Sequence, residues 1–474
     1  MVDAAIAPDA AFELTEQVAV KVLGLSAQEL LQEELQLHAD RADRLDADGK
    51  PPREWACPRC GGVTATFARR RTRTIESSVG ELKFKRSVYD CCGRSTRGKP
   101  GKGHVFSPAD AAIGIREGQN LSPWQERLTS EFGAELPFAR ARMLLAKTVE
   151  VACATSTVHE VTIEAGRVAE EEMLARSKQI RECPPDVQLL PDPMTRDDIA
   201  IIQIDGAMCP VHPDAARDDD GAADGADDPA DGDSLSRKPP GRPDTRHREV
   251  KSVAIYKQRD HIVKPPTRSG KPGRGHVRRC FTRSRICHWL AFAWLLYTLA
   301  LQLGVRRAKQ VVILGDGAEW IGWIATKFFA GATRILDFWH AMEHIARAGH
   351  AALGVGTPEF KSWYRRQRTR LRAGKAHDVI AAVRALAGKG ASAGLREIVR
   401  EEVGYLSKRV AQMDYPRFES QGLPIGSGLI EGHNRHIVKN RLDAGGMRWH
   451  PEHANRLLSL ITERRNDQSA ARAA

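Results

Sequence analysis

Apolar residues in the first 50 positions recur mostly at helical spacing. Val20, Leu23, Leu25, Leu30, Leu31, Leu35 and Leu37 stand between acids and bases, and Gly49-Lys50-Pro51-Pro52 ends the predicted helix. Thr64 to Thr74 and Leu82 to Tyr89 read as short strands on either side of Ser77-Ser78-Val79-Gly80. From Leu121 to about Ser177 the period returns to that of a helix. Phe138 to Val151 has one apolar face, and Ser156-Thr157-Val158-His159-Glu160 carries the cap signal of a second helix. The short Cys153-Ala154-Thr155 joint between them resembles a helix-turn-helix. Cys183-Pro184-Pro185 through Pro193 is a linker. The pattern then turns β: Ile199 to Ile204 is continuously apolar, Glu249 to Tyr256 alternates, and His276 to Phe281 reads as a third strand. A helix over Ile286–Leu303 and buried strands at Gln310–Leu314 and Thr333–Leu336 complete a β-β-β-α-β-α-β order, which predicts a multidomain α/β protein with a mixed sheet. Residues 346–419 read as helical. Residues 425–465 end in a helix over Pro451–Arg465, with a frayed tail after Asn466.

At roughly 150 residues per domain, 474 residues make about three domains. With 42% hydrophobic and 28% charged residues the composition is globular. Lys and Arg total 72 against 60 Asp and Glu, a net charge of +12 that points to a polyanion such as nucleic acid. Nine cysteines are too few for a secreted disulfide scaffold. The start, MVDAAIAPDAAFELTEQ, lacks a basic segment followed by an apolar one. Trp289–Leu301, the most apolar stretch, falls short of the ~18–20 residues a membrane span needs. It is predicted to be a helix buried against a sheet, in a cytoplasmic protein with no membrane contact. Charge is also unevenly placed. Asp214 to Asp233 holds nine Asp, and Arg237 to Arg248 is basic, so residues 211–247 are predicted to be a disordered loop. An acidic mimic of DNA is its alternative role. Arg365 and Arg366, with Arg368, Arg370, Arg372 and Lys375, form a basic cluster suited to phosphates.

Two carboxylates stand where buried strands are predicted to end. Asp205 follows Ile201-Ile202-Gln203-Ile204, and Asp316 follows Val311-Val312-Ile313-Leu314-Gly315; each precedes a glycine. Carboxylates held in register can share hard, oxygen-seeking cations such as Mg²⁺ or Mn²⁺. A pair of such ions needs a third carboxylate. Glu431 offers one, on a helix opened by Ser427 and Gly428, with Asn434, Arg435, Lys439 and Arg441 following to meet phosphates. Cys57-Pro58-Arg59-Cys60 is one clear zinc knuckle. Its partner is incomplete: Cys91 and Cys92 are adjacent and Tyr89 stands where a first cysteine would, so His104 is a candidate fourth ligand. Cys153, Cys183, Cys209, Cys280 and Cys287 are expected to be buried thiols.

The segments IQIDG, VVILGDGAEWIGW, RILDFWHAMEHI and PIGSGLIEGHNRHIVKNRLDAGGMRW together resemble the bacterial DDE transposases, most closely the ISKra-type insertion-sequence family, over roughly residues 53–465. The resemblance implies an RNase H-like catalytic domain with Asp205, Asp316 and Glu431 as its triad and two Mg²⁺ (or Mn²⁺) ions. It implies a helical insertion in the 115 residues between Asp316 and Glu431. It makes Asp337-Phe338-Trp339-His340 a D-x-x-H signature, with Asp337 and His340 bracketing the site. The organisation expected is a helical segment (1–50), a zinc-ribbon-like module (51–107), a helix-turn-helix-like region (108–182), the catalytic domain (183–345 and 420–465) around the insertion (346–419), and a disordered tail (466–474). The function expected is cleavage of the element's terminal inverted repeats and joining of the 3′-hydroxyl to target DNA by a homodimer or larger assembly, with Zn²⁺ in the ribbon and the protein at the nucleoid. Two rivals stay open: an RNase H-like nuclease without strand transfer, and a non-catalytic zinc-containing DNA-binding regulator.

Overall fold

The computed structural model describes residues 26–58, 65–90, 105–115, 118, 120–149, 153–183, 187–212, 246–263 and 275–472. Two compact units divide the chain, Met1–Thr162 and Ile163–Ala474. Cys60, Cys91, Cys92, His104 and most of the predicted 211–247 loop lie outside the described residues.

In the first unit a helix over residues 26–42, α1, accompanies four antiparallel strands: β1 (Glu54–Trp55), β2 (Ala65–Ser77), β3 (Gly80–Asp90) and β4 (Val105–Phe106), in that order across the sheet. β2 and β3 are 13 and 11 residues long, longer than the short strands predicted. The cations that interrupt their alternation find partners: Arg73 and Arg86 flank Asp110, and Arg70 meets Asp40 at 2.5 Å. The outer edge of β3 is closed by α1. Gln28 donates to the Glu81 carbonyl at 2.7 Å. Gln32 and Gln36 each donate to and accept from the backbone of Lys83 and Lys85, and Asp43 accepts the Ser87 N–H at 2.5 Å. Four residues of helix rise about 6 Å and two residues of strand about 6.6 Å, so side chains spaced by four can stand in for a neighbouring strand. Beyond α2 (Pro108–Ile113), helices α3 (Pro123–Glu135), α4 (Phe138–Thr148) and the start of α5 (Thr155–Glu182) gather around Leu121, Ala141, Leu145, Val158 and Val161. The expected 108–182 region is not one unit: α5 is a single 28-residue helix and the division falls inside it.

The second unit is built on a five-stranded mixed sheet. β5 (Ile199–Pro210) and β6 (His247–Lys257) pair along their whole length, and β7 (His261–Val263) and β8 (Gly275–Val277) form a separate ribbon. β9 (Phe281–Arg285), β10 (Gln310–Gly315) and β11 (Thr333–Leu336) complete the sheet in the order β11-β10-β5-β6-β9. β10 is parallel to both β5 and β11, and β6 is antiparallel to both β5 and β9. Alternation along β5 serves two cores. Ala200, Ile202 and Ile204 face α6 (Trp289–Gln302) and α7 (Glu319–Phe328). Ile201 faces α8 (Phe338–Leu353), α9 (Pro358–Arg372), α10 (Ala376–Ala385), α11 (Ala393–Ser407) and α12 (Tyr415–Ser420). The apolar Trp289–Leu301 stretch is therefore the sheet-covering helix predicted, and no described helix is long and apolar enough to cross a membrane.

Three boundaries differ from expectation. The third sheet strand is Phe281–Arg285, and His276 belongs to β8. β9 is polar because its neighbour supplies polar partners. Asn466 bonds both the N–H (2.7 Å) and the carbonyl (3.0 Å) of Thr282, and Glu463 pairs with Arg283. Those partners sit on the last helix, which follows α13 (Gly428–Asn434) and runs as α14 over Pro451–Ala471. The tail expected to be disordered from 466 is thus helical almost to its end, anchored by Asn466 and by Ser469, which donates to the Cys280 carbonyl at 2.7 Å. Finally, the insertion does not begin at 346: α8 is continuous across that point, and Trp363, Val379, Val383 and Leu406 of the inserted helices share a core with Val312, Leu314 and Leu336.

Candidate active site

The register of the parallel strands aligns three carboxylates. Ile204 stands opposite Gly315, and Gly315 opposite Leu336. One residue further on come Asp205, Asp316 and Asp337. Asp205 was expected to end its strand. Instead β5 continues against β6 to Pro210, and it is the pairing with β10 that stops at Ile204. Asp205 therefore sits inside a rigid strand at the edge of the parallel part of the sheet. Following the alternation of Ile201 and Gln203, it faces the side that carries α8 and α13.

Polar contacts fix α13 over this edge. The Ile430 N–H donates to Gln203 Oε1 at 3.1 Å, and Gln203 is held by the Tyr256 hydroxyl at 2.9 Å. His433 Nε2 meets Ser284 Oγ at 3.0 Å, and Ser284 meets Ser252, the residue opposite Asp205, at 2.8 Å. Burial pushes His433 down to about 3, so its ring is neutral. Asn434 Nδ2 donates to Asp205 Oδ2 at 2.8 Å. Glu431, exposed on the same helix, accepts from Ser427 Oγ at 2.5 Å through Oε1. The Ser427 N–H in turn donates to Asp337 Oδ2 at 2.6 Å, while Asp337 Oδ1 caps α8 by accepting the His340 N–H at 2.7 Å. Asp337 is only 1% exposed, and both its oxygens are spent on backbone donors. His340 sits on that first turn with its ring towards Glu343 (3.6 Å), and Trp339 beside it stands 55% exposed.

The Asp316 turn is gripped from the insertion. Asp316 Oδ1 accepts the Ala318 N–H at 2.8 Å, and Gly317 has φ +80°, a left-handed conformation that suits glycine. Tyr405 donates to the Asp316 carbonyl, and Arg409 Nε to the Gly317 carbonyl at 3.0 Å. A Cβ at position 317 would come within 2.8 Å of Arg409, Leu336 and Tyr405. Tyr405 is stacked at 3.6 Å on His344, which bonds the buried Glu402 at 2.5 Å.

Burial pushes the Asp205 carboxyl up to about 6; the charges of Asp316 and Glu431 push the same way, against the hydrogen bonds from Asn434 and the Gly206 N–H. The three carboxylates thus share one field. Among the described residues no three His, Cys, Asp or Glu side chains stand close enough together to grip a metal ion jointly. Asp205, Asp316 and Glu431 each turn an oxygen to a protein donor. The donor set fits a hard divalent cation. It is all oxygen, and it includes Asn434 Oδ1, a buried carbonyl oxygen without a hydrogen-bond partner.

Two residues expected to meet phosphates do not face solvent. Asn434 is 4% exposed and spent on Asp205. Arg441 is 2% exposed, with its guanidinium over the Trp449 ring at 5.3 Å. Asn434 ends α13 on the side that meets Asp205, and Arg441 follows a π-helical turn over Arg435–Lys439, whose wider winding rotates the residues after it inward. Arg435 and Lys439 are exposed, Lys439 pairing with Asp443 at 3.0 Å, and Arg365 and Arg366 are exposed on α9. In the first unit Cys57 is buried among Trp55, Ala65, Phe67, Tyr89 and Phe106. Cys183 is exposed, contrary to its expected burial, because it lies at the end of α5.

Sequence reasoning missed Gln203, Ser427 as the partner of Glu431, Tyr405, Arg409 and His433. Only Gly317, a glycine directly after a strand-end Asp, signalled that something packs on that turn. No protein-family model matches the chain, and no curated protein matches it.

Proposed function

We propose that the protein is a DNA transposase of the DDE class, with an RNase H-like catalytic domain in its second unit. The observation that carries this reading is the convergence of Asp205, Asp316 and Glu431, drawn from β5, the end of β10 and α13, so that the charges of the last two raise the carboxyl of the first. The mixed sheet, in which Asp205 and Asp316 stand just past the point where the parallel pairing of β5 and β10 stops, supports the fold part of the reading.

Asp205, Asp316 and Glu431 would hold two Mg²⁺ or Mn²⁺ ions once their side chains turn from their protein donors to the metal. When bound, the ions supply positive charge to the attacking and leaving oxygens of phosphodiester cleavage and strand transfer. The chain's own groups do the rest. Ser427 orients Glu431, Tyr405 and Arg409 fix the Asp316 turn, and Arg435, Lys439 and the arginines of α9 engage the DNA backbone. The 51–107 module binds zinc through Cys57 and ligands among Cys60, Cys91, Cys92 and His104. Support comes from β1, β3 and β4, whose Trp55, Asp90 and Val105 ends lie together at one end of the sheet. With the helices of 108–182, this module reads the terminal repeats in a dimeric or larger complex.

The test is Mg²⁺-dependent cleavage of DNA carrying the sequences that flank the gene, with supercoiled plasmid as target. Wild-type protein is expected to leave 3′-hydroxyl ends and join them to the plasmid. Asp205→Asn, Asp316→Asn and Glu431→Gln are each expected to lose cleavage by about 10³-fold or more while still binding the DNA. A Glu431→Gln protein that cuts at the wild-type rate overturns the assignment, and cleavage without joining reduces it to a nuclease.

A further inference from the structure

Asn434 lies three residues after Glu431 on α13, on the same face of the helix, and is 4% exposed. Its amide nitrogen donates to Asp205 Oδ2 at 2.8 Å. A carboxylate can only accept, so this bond fixes the orientation of the amide and turns its carbonyl oxygen elsewhere. That oxygen is buried and has no hydrogen-bond partner. A bare buried carbonyl is costly, and a fold keeps one where something else fills it. The oxygen lies on the same amide as the nitrogen that touches Asp205, inside the shared field of three carboxylates. An uncharged oxygen there adds a hard donor without adding to the crowded negative charge, and that suits an oxygen-coordinated divalent cation.

We propose that Asn434 is a further ligand of the cation held at Asp205, donating Oδ1 while its Nδ2 keeps Asp205 in place. This rests on the metal-binding reading of the site, and it adds a fourth protein oxygen to the three carboxylates. It also explains why an asparagine expected to meet phosphate is instead buried against a carboxylate.

The competing role is that of a donor that merely orients Asp205. Aspartate at 434 separates the two, because it keeps an oxygen donor and loses the N–H donor. Mn²⁺ binding to the full chain without DNA is measured by calorimetry and by electron paramagnetic resonance, with folding checked by circular dichroism. Asn434→Ala is expected to weaken Mn²⁺ binding about tenfold or more, and Asn434→Asp to bind at least as tightly as wild type. If Asn434→Asp is as weak as Asn434→Ala, the residue only orients Asp205 and the proposal fails. It fails equally if Asn434→Ala binds like wild type. Asp205→Asn and Glu431→Gln serve as references. If neither weakens Mn²⁺ binding, the metal site itself is wrong and the Asn434 ligand falls with it.

Discussion

Asp337 accepts the backbone N–H of Ser427 at 2.6 Å across 90 residues of chain, and so fixes the hydroxyl on which Glu431 rests. Asp337 aligns with Asp205 and Asp316 in strand register, yet it is buried with both oxygens occupied. It therefore ties α8 to the entry of α13, and Phe338 N–H to the Ile425 carbonyl at 2.9 Å makes a second tie in the same place. Three aspartates in a row thus differ in role: Asp205 and Asp316 are partly exposed, and the fully buried Asp337 is structural support for Glu431.

Removing the support should separate stability from chemistry. Asp337→Asn turns an amide against one of two backbone N–H groups and is expected to cost about 2–4 kcal/mol of stability in urea unfolding. Ser427→Ala loses one hydroxyl and should stay within about 1 kcal/mol of wild type, yet slow cleavage roughly tenfold because the Glu431 carboxylate loses its anchor. Ser427→Thr should recover most of the rate. A Ser427→Ala protein cutting at wild-type speed would show that the hydroxyl does not orient Glu431.

The raised carboxyl of Asp205 predicts a pH dependence of stability. Its folded value of about 6 lies above the ordinary 3.8, so between these pH values the folded chain binds more protons than the unfolded one. Stability is then lost as pH rises from about 4 through 6. The total is about 3 kcal/mol, from roughly two pKa units at 1.36 kcal/mol each. Asp205→Asn escapes this loss. In thermal melts without divalent metal it should exceed wild type in Tm at pH 8, with the difference closing by pH 4. Equal melting of the two proteins at pH 8 would mean that Asp205 carries no such penalty. Mg²⁺ should raise the wild-type Tm and leave Asp205→Asn nearly unmoved.

The sheet strands with apolar runs were legible because burial on two faces leaves a pattern in the residues themselves. β5, β6, β10 and β11 and the helix α6 all show it. β9 was misplaced because Thr282, Arg283 and Ser284 are satisfied by Asn466, Glu463 and His433, far away in sequence. The same reason hid the helical end of the chain. In the site, Asp205, Asp316 and Glu431 were visible as acids at element boundaries. Tyr405 and Arg409 were not, since they act on carbonyl oxygens 89 and 92 residues away and any sequence offers such acceptors. Arg441 was expected to meet phosphate as one of the polar residues that follow Glu431, and no residue in the sequence signals the π-helical turn that precedes it and turns it inward.

That rotation gives a last comparison, between two cations two residues apart. Arg441 is buried against Trp449, so Arg441→Ala removes packing and leaves a buried gap, at an expected cost of about 2–4 kcal/mol. Lys439 is exposed in a solvent-facing pair with Asp443, and Lys439→Ala should change stability by no more than about 0.5 kcal/mol. On DNA the order reverses. Lys439→Ala should weaken binding several-fold at every sequence and lower the salt slope by about one ion. Under conditions where Arg441→Ala is still folded, its affinity and salt slope should match wild type, because its charge never reaches a phosphate. Unfolding curves together with DNA titrations at two salt concentrations decide the matter. If Arg441→Ala flattens the salt dependence while Lys439→Ala does not, the inward rotation by the π-helical turn Arg435–Lys439 does not hold in solution, and the nucleic-acid face must be drawn on the Arg441 side.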